Sequence, residues 1–211
     1  MKKFELTNEF ITNMFGTKLF RIRALVEFGD VEAGELGGYV EKESNLGHDD
    51  NAWVYDNARV YGDAQVSGDA RVYDNAWVYG DAQVCGDARV CGDARVCGDA
   101  QVSGDALVYG NALVCGDARV CGDARVCGNG DYAYAHGFGS VNRTTTFFRL
   151  KDGGVGVRCG CFYGTLAQFR DKIRETHGET KKAQEYLMLA DLMELRFEED
   201  ENEVGNRKYV E

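Results

Sequence analysis

Among side chains suited to general-base, nucleophilic or zinc chemistry near neutral pH, histidine and cysteine are few in this 211-residue chain: three histidines (His48, His136 and His177) and eight cysteines. A histidine titrates near neutral pH and suits a general base. His48 stands in Gly-His-Asp-Asp, where an aspartate can orient its ring, although a surface loop explains that sequence equally well. Cys159 and Cys161 are two apart, so on a strand they share a face. With His136 or His177 they have the types needed for a zinc site or a Cys–His nucleophile pair. A lone C-x-C with scattered histidines is weak support for either, and the buried face of a hairpin accounts for it. No histidine occurs between Asn51 and Gly130, so the six cysteines there are not read as metal ligands. No catalytic residue, metal or cofactor is assigned.

A second group is suited to binding rather than catalysis. The stretch Gly137–Thr146 is rich in glycines and hydroxyls, with arginines in it and shortly after it. Backbone N–H groups and guanidinium forks hold phosphates well. Ser140, Asn142, Arg143, Thr145, Arg149 and Arg158 are therefore the candidate residues for a phosphate or small nucleotide. A Gly-rich connector running into a Thr-rich strand is the plainer alternative.

What positions these residues is a repeat. From Asn51 to Gly128 the phrase A-x-V-x-G-D recurs with small variations, and valine returns every sixth residue from Val54 to Val126. Alanine precedes each valine by two, from Ala52 to Ala124. Six is a multiple of two, so alanine and valine point to one side of a strand. The next pair, Gly-Asp or Asp-Asn, is turn chemistry. Period six matches no helical face, and the glycines would cost a helix about 1 kcal/mol each. A flat meander is disfavoured because two-residue reversals prefer Asn-Gly to Gly-Asp.

This phrase resembles the hexapeptide repeat of left-handed parallel β-helices. The resemblance implies three hexads per triangular coil, with the valine and the small residue two before it pointing inward. About five to six coils are expected. The architecture serves CoA-dependent acyltransferases, carbonic-anhydrase-like enzymes and non-catalytic scaffolds alike, so it specifies a fold more than a function. The acyltransferases use a histidine on a loop projecting from the coil. Here no loop interrupts the hexads, and the zinc histidines of the carbonic-anhydrase-like relatives are missing.

With 18 residues per coil, residues 18 apart stack at about 4.8 Å. Face one then presents Trp53, Arg71 and Arg89 beside Tyr55 and Tyr73; face two presents Arg59, Trp77 and Arg95 beside Tyr61 and Tyr79. Tyr, Trp and Arg are the types enriched at binding hot spots. Stacked aromatic rungs also simply stabilise a sheet. Face three, with Gln65, Gln83 and Gln101, reads as an amide ladder. The corner aspartates read as turn residues bonded to backbone N–H groups. The six repeat cysteines occupy an outward slot shared with Tyr and Ser, as small soft rungs.

Coil ends leave unpaired strand edges, so caps are expected. Residues 1–50 read as an N-terminal β cap with degenerate hexads at Val40 and Leu46, residues 51–130 as the β-helix, 131–197 as a C-terminal cap and 198–211 as a charged tail. The C-terminal cap reads as a hairpin turning at Lys151–Gly154 and two helices. The first is N-capped by Thr165; the second, roughly 179–197, has Ala183, Leu187, Ala190, Leu192 and Leu195 as its apolar residues. Gly37-Gly38-Tyr39-Val40, the stretch from Gly139 to Phe148 and Cys159–Thr165 together resemble hexapeptide-repeat proteins of bacteria and their prophages, which carry no assigned activity.

The chain has 24 Lys+Arg against 35 Asp+Glu, a net charge of −11, and no proline. This acidity argues against a nucleic-acid binder. No apolar run is long enough for a membrane span, and no secretory signal opens the chain, so a cytoplasmic location with reduced thiols is expected. The expectation is a non-enzymatic binding protein on a rigid scaffold, a dimer or trimer, engaging a host protein or another copy through its aromatic and arginine faces. A small nucleotide is a further expected ligand, and a CoA-dependent acyltransferase is the alternative.

Overall fold

The computed structural model of the chain describes residues 2–138 and 142–198. Ser140 and the tail beyond residue 198 lie outside the described residues. Strands β1 (Phe4–Thr12), β2 (Lys18–Ala24) and β3 (Leu36–Val40) form an antiparallel meander. Thirteen two-residue strands, β4–β16, then run from Trp53–Val54 to Arg125–Val126. They pair in parallel, each with the strand 18 residues away, as Val72, Val90 and Val108 illustrate. Three columns result, making a parallel β-solenoid of about five turns. The two degenerate hexads belong to it: Val40 pairs with Val60, and Leu46 bridges to Val66.

The alternation seen in the hexad places every repeat alanine and valine inside, at 0–1 % exposure. Corners turn on left-handed backbone. Gly86 has φ +70°, and a Cβ there would lie 3.0 Å from the N of Gly104 on the next coil, so a side chain meets both strain and backbone. Asp56 and Asp74 stand in glycine's place at φ 51° and 59°. Asp56 Oδ2 accepts the Asp74 N–H at 3.3 Å, and Asp74 Oδ2 accepts the Gly92 N–H at 2.9 Å. These two carboxylates thus serve the turns above them.

Both ends are covered. At the first coil, Phe4 and Phe28 pack edge-on against Trp53, at 6.2 and 5.3 Å between ring centres. Trp53 is fully buried by them. The outward face expected for it is corrected: its slot is outward in the repeat, but the N-terminal meander folds over it. Lys3 is buried beside it. Its Nζ donates to the Asp50 and Ala52 carbonyls at 2.7 and 2.8 Å and sits 4.6 Å from the Phe28 ring centre. Burial lowers its pKa to about 8, against the opposing pull of Asp50. A lowered lysine pKa means the unfolded chain binds more protons between about pH 8 and the ordinary value of 10.5, so this group's contribution to stability rises with pH across that window. The unfolding free energy of the protein minus that of Lys3→Met is expected to increase from pH 8 to 10.5; a flat or falling difference contradicts the buried ammonium.

The far end carries β17 (Tyr132–Phe138), β18 (Arg143–Arg149), β19 (Val155–Cys159) and β20 (Phe162–Thr165), an antiparallel sheet in that order. The Lys151–Gly154 turn is present, closed by Leu150 N–H to the Gly154 carbonyl at 2.8 Å. The sheet adds β17 and β20 to the hairpin expected from sequence. It caps the last coil through polar contacts: Thr146 Oγ1 accepts the Arg119 N–H at 2.9 Å, and the Tyr132 hydroxyl donates to the Leu113 carbonyl at 2.6 Å. Helices α1 (Leu166–His177) and α2 (Lys181–Phe197) pack on its other side. Thr165 caps α1 reciprocally with Gln168, as its position predicted. In α2 the buried residues are Ala183, Tyr186, Ala190, Met193 and Phe197. Leu192 and Leu195, expected inside, are 54 % and 67 % exposed, because the larger rings of Tyr186 and Phe197 set the register of the buried face. Among the described residues no helix is long and apolar enough to cross a membrane.

Candidate interaction surface

Register turns the outward slots into columns. On face two, the guanidiniums of Arg59 and Arg95 lie over the two sides of the Trp77 ring, at 5.1 and 5.0 Å from its centre. Beside them Tyr61 and Tyr79 stack at 5.1 Å with 5° between ring planes. Each cation–π contact contributes about 0.5–1 kcal/mol at a surface. Their main consequence is rigidity: side chains that would otherwise sample many rotamers are held in one arrangement. The sheet extends this surface through Tyr39, whose ring lies 5.3 Å from the Arg21 guanidinium carbon. The result is a preorganised platform on four neighbouring strands, β3, β5, β8 and β11.

Face one is concave. Tyr55, Arg71, Tyr73 and Arg89 surround a recess of about 270 Å³ together with Asp30 and Asp56. Asp30 accepts from the Tyr55 hydroxyl at 3.2 Å and from Arg71 Nη1 at 3.0 Å. Burial, followed by the Asp30 charge, pushes the Tyr55 phenol up to about 12. Hydrogen bonding to Cys97, then burial, does the same for Tyr79. Both therefore stay neutral at physiological pH. Burial also raises the Cys91 and Cys121 thiols, which suits soft packing rungs and not nucleophiles. All eight cysteines are free. On face three the glutamines stack in register, Gln65 on Gln83 on Gln101.

The candidate phosphate residues do not converge. Arg143, Thr145 and Arg149 share one face of β18, but Arg143 and Arg149 are six residues apart, about 20 Å along a strand. Arg149 is buried, lies over the Phe197 ring and donates to the Gly153 carbonyl at 3.2 Å. Thr145 is buried and donates to Cys159 Sγ at 3.2 Å. Arg158 follows the Thr146 register onto the opposite face, where its charge reaches Cys121. Asn142 is exposed at φ 49°.

The histidines are dispersed. The His48 ring stacks on Phe4 at 4.6 Å, and its Nδ1 accepts the Lys3 N–H at 3.2 Å. His136 Nδ1 lies 2.9 Å from Thr144 Oγ1 and 3.6 Å from an Asp117 carboxylate oxygen. His177 alone joins the two C-x-C cysteines, around a cavity between the C-terminal sheet and α1 that sequence reasoning did not find. Among the described residues no group of three His, Cys, Asp or Glu side chains is arranged to hold a metal.

Residues 64–80, 82–98 and 100–116 each match the YdcK Beta solenoid repeat. Successive matches begin 18 residues apart, the same step as one turn of the observed ladder. No curated protein matches the chain.

Proposed function

We propose that this solenoid is a non-enzymatic binding protein whose arginine and aromatic faces engage a protein partner. The observation that carries this reading is the Arg59–Trp77–Arg95 sandwich beside the Tyr61–Tyr79 stack. A guanidinium held over an indole keeps N–H donors at its edge that suit carboxylates; of these, Arg59 Nε is itself buried without a partner among the described residues. Tyr and Trp add large contact area at small entropic cost. The fitting partner presents acidic side chains on a flat surface. Resemblance to prophage-borne repeat proteins extends the proposal to a host protein, met in the cytoplasm.

The test is an affinity capture from cell extract, quantified by mass spectrometry, with the native chain, Trp77→Ala/Arg95→Ala and Gln83→Ala/Gln101→Ala compared. All three should give the same circular dichroism, because the altered side chains lie outside the coil. One protein should be recovered by the native chain and by the face-three variant and lost, by at least about tenfold, with the face-two variant. Equal recovery by all three overturns the proposal.

A further inference from the structure

The C-terminal cap contains a cavity of about 300 Å³ between the β19–β20 hairpin, the start of β18 and α1. Its volume is at the lower end for small-molecule sites. Phe162, Phe169 and Tyr186 form an aromatic wall, with Phe169 5.5 Å from Phe162 and 5.8 Å from Tyr186 between ring centres. The charged and titratable nitrogens around it are Arg143, Lys172 and His177, and among the described residues no carboxylate lines it. In a chain of net charge −11 a cavity with cationic side chains and no acid is unexpected by chance.

Arg143 is the key group. No hydrogen bond or ion pair within the described residues holds its guanidinium. It lies across Gly160 in the hairpin turn, where a Cβ would come within 2.1 Å of Nη1. Glycine at φ +59° therefore both makes the turn and leaves room for the arginine. Lys172 is bonded at 2.8 Å to Glu175, but that pair is about half exposed or more, so an incoming anion can compete for the ammonium. His177 stacks near Tyr186 at 6.0 Å and 23°, a ring continuing the aromatic wall.

We infer that this cavity binds a ring-bearing phosphate monoester of nucleoside-monophosphate size. The planar ring would rest against Phe162, the one of the three rings that is not buried, and the phosphate would take the guanidinium fork of Arg143 with Lys172 beside it. The volume admits one such molecule. This site is separate from the solenoid faces and does not depend on them.

The probes are AMP, GMP, CMP and UMP, titrated calorimetrically against the full chain, with their nucleosides and inorganic phosphate for comparison. At least one nucleotide should bind at least about tenfold tighter than inorganic phosphate and than its own nucleoside. Arg143→Gln should weaken it by at least about tenfold without changing the melting temperature, because that side chain is exposed and unpaired among the described residues. Arg158→Gln, on the opposite face of the sheet, should leave affinity within about twofold. Bound nucleotide should also slow alkylation of Cys161, the exposed thiol of the cavity wall. The inference is overturned if no nucleotide outbinds inorganic phosphate, or if Arg143→Gln binds as the native chain does.

Discussion

Val90→Asp is expected to destabilise the solenoid severely, so that its thermal unfolding is lost or split. Val90 is fully buried in the middle turn, with Val72 and Val108 in register below and above it. The interior around it consists of the repeat's alanines and valines, which offer a carboxylate no donor. An unpaired buried charge costs about 3–5 kcal/mol or more. For a chain of this size that corresponds to a fall in melting temperature of roughly 10 °C or more. In a repeat array each turn contacts only its neighbours, so the lesion also separates the turns on its two sides. Thermal melts followed by circular dichroism should show the transition lost or split, whereas Gln83→Asp on face three should stay within about 0.5 kcal/mol of the native chain. A native-like melt for Val90→Asp would contradict the inward assignment of the valine columns.

Gly38→Ala is expected to lift the N-terminal cap. A Cβ at Gly38 would lie 2.7 Å from the Ala58 carbonyl oxygen, 2.8 Å from that of Tyr55 and 2.8 Å from Val54 Cγ1. Two of these three atoms are ladder backbone and cannot swing aside. Overpacking of this kind costs about 1–3 kcal/mol, with the upper end expected here. Detachment would expose Trp53 and the open edge of the first coil, an invitation to edge pairing between chains. In a Trp77→Phe background, Gly38→Ala should red-shift the remaining tryptophan emission and produce concentration-dependent larger species in sedimentation. Unshifted emission with monodisperse sedimentation would show that the meander does not rest on this glycine.

How far the sequence could be read depended on whether the positioning contacts were local. The hexad makes its own argument: alternation sends Ala and Val inward, and Gly-Asp or Asp-Asn closes each corner, so the columns of face two can be drawn from residue numbers alone. Arg59, Trp77 and Arg95 stand 18 apart in the chain and stack as that spacing requires. Trp53 occupies the same slot as Arg71 in its hexad, and nothing local marks it as buried. Its fate is decided by Phe4 and Phe28, which return from the far end of the meander. The register of α2 escaped for a related reason. Leucines at 192 and 195 look apolar in a helical pattern, yet the sheet selects the face bearing Tyr186 and Phe197. The cavity was the least legible feature, since Arg143, the C-x-C turn, α1 and Tyr186 of α2 converge only after the cap has folded.

Face two is the interface on which the proposed binding depends. Replacing Tyr79 with the photo-crosslinking residue p-benzoylphenylalanine, and Gln83 likewise in a separate chain, tests that claim at neighbouring strands of different faces. Irradiation in cell extract should give one discrete adduct from position 79, diminished by Trp77→Ala, and none of that mass from position 83. No discrete adduct from position 79, or the same adduct from both positions, would contradict it.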